Sequence, residues 1–445
     1  MAPLYFEKPQ DDDSEFMDFE ILKTSFHRTL ATCLPHALGT NLRPSELGDP
    51  ATPLLVTVSE ATPQLPTVTK HVDDECTIAT MRGSRFIPHV QPRAILERTV
   101  SIMRNPMGGD DPLVTLDVVY MSDGVGILLV LSHAVVDMAA YCRFASEWAR
   151  VASGMSCGVA EDAFLPRRRM DTDRGKFWAL VSEHTSPNPY PFERYLEDQC
   201  SAGSVEPLAV GGDMTTMTTT VFRLSADVDA MGRLALTRDK LCPGISVINF
   251  VSALLWQVIA RAESTTAAAA AATTTTEYTY FSASLTIRKN TRFAEYWGNT
   301  ATVKHIHARA TMIAGDLGYA SELVQKCVRE FGVSDFAYIV GLYTRSDQKY
   351  IQNLGRCLKS QVSKLLSVTN LSRVPFYEVD FGFGGPVKAF YQTVRIPGLC
   401  FIMPRSVEGG IEIFVCLRGD GAAKALVNDE MVQSHFDVER VLDHQ

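Results

Sequence analysis

Gly126-Ile-Leu-Leu-Val-Leu-Ser-His-Ala-Val-Val-Asp-Met138 passes from an apolar run through a polar junction into a helical pattern. Gly126 to Ser132 is apolar almost without interruption, as in a strand buried on both faces. Upstream, Val114 to Tyr120 alternates like a strand, and Ser122-Asp123-Gly124 supplies turn chemistry between the two runs. Met138 to Ala152 reads as a helix, with Asp137 as candidate N-cap and Gly154 just past its end. His133 thus stands where a rigid strand opens into a loop, a good place for a reactive side chain. Histidine takes a proton near neutral pH at its ordinary pKa, which suits it to act as a base. A capping aspartate beside a satisfied core histidine would give the same letters. With ten histidines, a His-x-x-x-Asp pattern arises by chance roughly half a time per chain.

Working outward, Phe19, Leu22, Phe26, Leu30 and Cys33 share one helical face up to Leu34, where Pro35 ends the pattern and Gly39 begins an extended segment. Residues 1–16 are polar and acidic around Leu4-Tyr5-Phe6 and are expected to fray. Residues 157–215 lose periodicity and read as a long crossover. Ser246 to Ala262 is a helix with Ser246 as candidate N-cap, and the uncharged Thr265–Thr276 stretch reads as a low-complexity surface loop in preference to an extension of that helix. Tyr278 to Ile287, Val394 to Met403 and Ile411 to Leu417 read as strands, and Tyr319 to Phe331 as an amphipathic helix. Strands and helices without strict alternation indicate an α/β chain of the α+β kind, with mixed sheets in two lobes. The expected division is a lobe over 1–170, a linker over 171–215 and a second lobe over 216–445.

Composition narrows the function. The chain has 445 residues, 46% hydrophobic and 21% charged, with net charge −9. Its longest basic run is Arg167-Arg168-Arg169, which argues against a nucleic-acid partner. Ten cysteines without a CxxC pair suggest reduced thiols in a cytoplasmic protein. No apolar run is long enough to span a bilayer, and the acidic N-terminus does not read as a signal peptide.

A second motif lies at Thr369 to Pro386, Thr-Asn-Leu-Ser-Arg-Val-Pro-Phe-Tyr-Glu-Val-Asp-Phe-Gly-Phe-Gly-Gly-Pro. Gly382, Gly384 and Gly385 describe a tight loop that Asp380 is placed to pin. Asp380-Phe-Gly lacks the companion motifs of a kinase. Gly382-x-Gly384 lacks the strand-then-helix setting of a phosphate loop. His305 and His307 have no evident third metal ligand. Ser132 cannot form a dyad with His133, because neighbours on a strand point to opposite faces. Arg167 to Arg169 reads as a solvated charge run in preference to a phosphate contact.

Together, His133-x-x-x-Asp137 and Asp380-Phe-Gly-Phe-Gly384 resemble the BAHD acyltransferase family in order and separation. Weaker likenesses are Leu34-Pro-His-Ala-Leu-Gly, the helix around Trp256, Ile287-Arg288 and Gly298-Asn299. Phe383 and Met138 bring the chain nearer the fungal trichothecene 3-O-acetyltransferase branch than the plant members. The resemblance implies two similar chloramphenicol-acetyltransferase-like lobes with a solvent channel between them. It implies transfer of an acyl group, acetyl in the first instance, from acyl-CoA to an alcohol such as a terpenoid, alkaloid or polyketide. His133 would act as general base in a direct ternary complex, in a monomer that binds no cofactor, metal or membrane. It further implies that Asp137 points away from substrate and pairs with Arg288, and that Asp380, with Arg292 as a candidate partner, and Gly382 and Gly384 support the site. Thr369 is the candidate oxyanion donor, although Leu371, where plants often carry Trp, cannot donate. The family's usual first strand is expected to be missing. Condensation or cyclisation catalysts on this scaffold carry adjacent histidines and a Gly after the aspartate. Ser132 and Met138 argue against them, and the intact motifs argue against a non-catalytic binding relative.

Overall fold

The structure is a computed structural model that describes residues 2–9, 16–34, 37, 42–44, 54–56, 65–86, 90–104, 113–133, 135–156, 219–269, 278–289, 294, 296–344, 364–389, 396–405 and 409–444. The expected crossover at 157–215, Pro35, Gly39 and Arg292 lie outside these. The chain forms two compact units. The first comprises Met1–Ala179 with two later segments, Arg288–Thr300 and Val374–Gln392; the second holds the rest. The linear division into lobes did not anticipate these exchanged segments, which bring Arg288 and the Asp380 loop into the unit that contains His133.

The first unit is built on a five-stranded sheet ordered β11-β1-β6-β5-β4. Its strands, numbered in chain order, are β1 (Ala2–Glu7), β4 (Val68–Val72), β5 (Val114–Met121), β6 (Gly124–Leu131) and β11 (Lys388–Ala389). β1 runs antiparallel to both β6 and β11, β5 is antiparallel to β6, and β4 is parallel to β5. A separate two-stranded ribbon joins β2 (Leu42–Pro44) and β3 (Leu54–Val56). The expected fraying of residues 1–16 is overturned for Ala2–Glu7, and with it the missing strand. Leu4, Tyr5 and Phe6 are exposed by only 2%, 1% and 2%, and the strand satisfies its backbone on both edges. Helices α1 (Phe19–Cys33) and α4 (Met138–Ala152) pack against each other. Phe26 meets Phe144 and Trp148 edge-on, with ring centroids 5.9 and 5.3 Å away. The Trp148 indole N–H donates to the Leu22 carbonyl at 3.1 Å, so the buried ring keeps its polar tip satisfied. The short α2 (Ile78–Gly83) and α3 (Arg93–Arg104) complete the described α-helices of this unit, and a 3-10 turn spans Phe376–Glu378.

The second unit carries a seven-stranded sheet ordered β14-β7-β13-β12-β10-β8-β9. These strands are β7 (Thr219–Ala226), β8 (Tyr278–Thr286), β9 (Ala301–Arg309), β10 (Leu365–Asn370), β12 (Leu399–Ile402), β13 (Ile411–Arg418) and β14 (Asp437–His444). β10 lies parallel to β8 and β12, and the other pairs are antiparallel. Of the expected strand Val394 to Met403, Val394 and Arg395 lie outside the described residues, and the described strand starts at Leu399, after a turn at Gly398 with φ +79°. The helices are α5 (Val228–Leu241), α6 (Val247–Ala269), α7 (Ala310–Gly315), α8 (Leu317–Arg329), α9 (Val333–Thr344), α10 (Gly419–Asn428) and α11 (Glu430–His435). α6 forms the spine of the core, with Phe250 and Trp256 fully buried. The Ser246 hydroxyl caps it by accepting from Asn249 N at 3.2 Å. It runs on to Ala269, so the start of the Thr-Ala stretch is helix and not loop; alanine's high helix propensity accounts for the extension.

One partly buried base in this sheet gives a pH prediction. His305 on β9 lies beside Ser282 on β8, whose hydroxyl is 2.6 Å from Nδ1, and burial lowers its pKa to about 4. The fold thus favours neutral imidazole, while the unfolded chain binds the proton near pH 6.5. The resulting stabilisation is complete above about pH 6.5 and is lost as pH falls towards 4, by at most about 3 kcal/mol. Denaturant titrations of wild type and His305→Asn should diverge over that window, the wild type falling more steeply. Parallel curves would refute the assignment.

Candidate active site

The site grows from the β6–α4 junction. β6 ends at Leu131, His133 follows in a turn and is exposed, and Asp137 opens α4 with only 3% exposure. Asp137 does cap the helix, accepting from Ala140 N at 2.9 Å. Capping uses only part of its capacity. Arg288 donates through Nε to both carboxylate oxygens, at 3.2 and 3.0 Å, and through Nη2 to Oδ1 at 2.9 Å. Thr300 donates to Oδ2 from its backbone N at 2.9 Å and its hydroxyl at 2.8 Å. Burial alone would raise the Asp137 pKa. The Arg288 hydrogen bonds, with the Ala140 and Thr300 N–H groups, outweigh it and hold the carboxyl below its ordinary value. Asp137 is therefore an ionised, fully engaged anchor with no free lone pair for substrate.

Arg288 also reaches the chain that follows it, donating to the Tyr296 carbonyl and, at 2.7 Å, to the Gly298 carbonyl. Thr300 closes the far end on Asp137. Between them, Trp297 lies under the Arg143 guanidinium of α4, 4.4 Å from the ring centroid. Residues 296–300 thus form a strap tied down at four points, and its Asn299 faces His133. The Asn299 amide nitrogen donates to the His133 carbonyl at 2.6 Å and lies 3.3 Å from Nδ1 of the ring. The Gly298-Asn299 likeness flagged this segment, but Thr300, Trp297 and Arg143 carried no signal in the sequence. Their spacing from His133 becomes meaningful only when the strap folds back.

Asp380, Gly382 and Gly384 lie in the same unit and form a separate structural knot. One Asp380 oxygen accepts from Gly382 N at 2.7 Å and Gly384 N at 2.8 Å. Both glycines have positive φ, +97° at Gly382 and +93° at Gly384. Phe381 packs on Phe6 and Trp148, with centroids 5.4 and 4.8 Å away, and Phe383 packs on Phe16 at 5.0 Å. The loop thereby holds β1 and α4 together. A Cβ on Gly384 would meet nothing within 4 Å, so only its backbone resists substitution. Gly384→Ala should cost about 1–2 kcal/mol, read from the denaturation midpoint. An unchanged midpoint would contradict a left-handed residue there. Thr369 belongs to the second unit, where its hydroxyl lies 3.0 Å from that of Ser284; Leu371 is buried. Among the described residues no group of three or more His, Cys, Asp or Glu could hold a metal, His305 and His307 included. Among them, too, no helix is long and apolar enough to cross a membrane.

Comparison with known proteins supplies an independent line. The model of a family described as Transferase family matches residues 89–424. The Avena sativa hydroxycinnamoyl-CoA:5-hydroxyanthranilate N-hydroxycinnamoyltransferase HHT1 is 22% identical over 319 residues, covering 70% of this chain and 68% of that protein. The crystal structure of F. graminearum TRI101 with coenzyme A and deoxynivalenol superposes with a TM-score of 0.71 at 14% identity, over 98% of this chain and 95% of that one. The first condensation domain of the CDA synthetase superposes with a TM-score of 0.54 at 13% identity, over 97% and 88%. At such identities the superpositions speak for the fold alone.

Proposed function

This chain belongs to the transferase family of BAHD acyltransferases, and from that premise we propose that it moves an acyl group from a coenzyme A thioester to the hydroxyl of a small specialised metabolite, with His133 as general base. The observation that carries the reading is a division of labour within four residues. His133 is exposed, whereas Asp137 is buried and saturated by Arg288, Ala140 and Thr300. A reactive imidazole thus stands on a backbone that cannot easily shift. A thioester is already activated, so a base that takes the hydroxyl proton and a site that aligns the two substrates suffice. The hydroxyl oxygen attacks the thioester carbonyl, His133 receives its proton, and the proton passes to the departing thiolate. No covalent acyl-enzyme is needed.

Coenzyme A as co-substrate is supported by the relatives, one named for a hydroxycinnamoyl-CoA donor and one crystallised with coenzyme A. Acetyl-CoA is the donor of choice here, in a monomer acting in the cytoplasm on a terpenoid, alkaloid or polyketide alcohol. Thr369 is the group proposed to donate to the tetrahedral oxyanion. The test is incubation with acetyl-CoA, and in parallel with hydroxycinnamoyl-CoA, across a panel of alcohols while free thiol is followed. Acceptor-dependent release supports the reading. Release without acceptor would mean hydrolysis, and no coenzyme A binding at all would end it.

A further inference from the structure

Asn299 does something that the ion pair beneath it does not require. Its amide nitrogen touches both the main chain and the ring of His133, at 2.6 Å from the carbonyl oxygen and 3.3 Å from Nδ1. The carbonyl decides which end of the amide is which. Two oxygens 2.6 Å apart would repel, so the group facing the carbonyl is the NH2 end. The second N–H of the same nitrogen then lies towards the ring. A donor facing Nδ1 makes Nδ1 an acceptor, and a neutral imidazole that accepts at Nδ1 carries its proton on Nε2.

We propose that Asn299 is a positioning residue that anchors the His133 main chain and holds the resting ring in its Nε2–H tautomer, with the Nε2 edge turned away from the strap. The proposal rests on the reading of His133 as general base and adds a step to it. Uptake of a hydroxyl proton at Nε2 requires the other tautomer. The ring proton must leave Nε2 to solvent and one must bind Nδ1, which the exposure of His133 allows. The two distances say which contact yields. At 3.3 Å the N–H···N contact is at the long end of the hydrogen-bond range, whereas 2.6 Å to the carbonyl is short. The ring contact is therefore exchanged on substrate binding while the main-chain anchor stays. Arg288 and Thr300 act at one remove, by fixing the strap that presents Asn299.

The test uses full-length protein with 15N-labelled histidine, His133 being assigned by its loss in His133→Ala. In wild type the ring should show Nε2 protonated and Nδ1 as a hydrogen-bonded acceptor. Asn299→Ala should lose the hydrogen-bonded acceptor signature at Nδ1 and gain a share of the Nδ1–H form. Its kcat should fall about 10- to 100-fold through loss of the main-chain anchor, the tautomer change by itself not lowering it, while KM for acyl-CoA and the melting temperature stay near wild type. Asn299→Asp, equal in size with an oxygen where the N–H stands, should not restore kcat. The proposal is overturned if wild type rests in the Nδ1–H tautomer, or if Asn299→Ala keeps the wild-type tautomer balance and kcat. The spectrum is read without turnover, so a chain that proves inactive but loses its tautomer preference in Asn299→Ala sinks the transferase reading alone.

Discussion

Arg288→Met should destabilise the first unit by about 3–5 kcal/mol, the range for removing one partner of a buried ion pair. The size follows from what is left behind. Arg288 is 12% and Asp137 4% exposed at the side chain, so the carboxylate cannot turn to water once the guanidinium is gone. Three donors remain, from Ala140 N, Thr300 N and the Thr300 hydroxyl, but none is charged. The Tyr296 and Gly298 carbonyls lose their donor too, so the strap loosens together with the anchor. The same accounting predicts non-additivity. Asp137→Leu should be costly alone, because it strands Arg288. The double variant Asp137→Leu/Arg288→Met should lose clearly less than the sum, since both uncompensated charges vanish. Denaturant unfolding of the four proteins measures this directly. A single Arg288→Met loss below about 1 kcal/mol would mean that the pair behaves like a surface salt bridge and anchors nothing.

How much of this was legible in the chain follows the range of the interactions involved. The β5–β6–α4 passage could be read because its signals are local: an alternating run, a Ser-Asp-Gly turn, an apolar run and a capping aspartate. α6 was legible for the same reason, except at its C-terminal end, where a composition read as loop is also a good helix former. β1 was missed because its evidence is remote. Leu4-Tyr5-Phe6 is a short apolar patch next to Asp11-Asp12-Asp13, and it becomes a strand only through pairing with β6, more than a hundred residues away, and with β11. The pairing of Asp137 with Arg288, 151 positions apart, is likewise invisible to periodicity and came from family resemblance. The strap shows the limit of both approaches. Gly298-Asn299 stood out as a motif, yet nothing in the letters says that Arg288 binds two strap carbonyls or that Thr300 closes on Asp137. Those bonds use backbone atoms, which every residue type carries alike.

His133→Ala should lower kcat about 10²- to 10⁴-fold, the usual contribution of general base assistance, while leaving the fold intact. The two halves of that expectation come from the same geometry. The ring is exposed and, among the described residues, meets the Asn299 amide, so truncation opens no apolar cavity and strands no buried charge. The main-chain anchor from Asn299 to the His133 carbonyl survives the substitution, and so do the bonds to Asp137. Stability should therefore move by no more than about 0.5 kcal/mol. KM for acyl-CoA should change little, because proximity and alignment of the two substrates do not depend on the imidazole. Residual acceptor-dependent transfer is expected, since thioesters react slowly even without a base. His133→Gln separates the competing explanations. Glutamine can hydrogen-bond to a substrate oxygen but cannot carry the proton at neutral pH, so it should be as slow as alanine if the ring works as a base. If glutamine recovers most of kcat with normal KM, the imidazole merely orients the acceptor, and the proton must leave by another route.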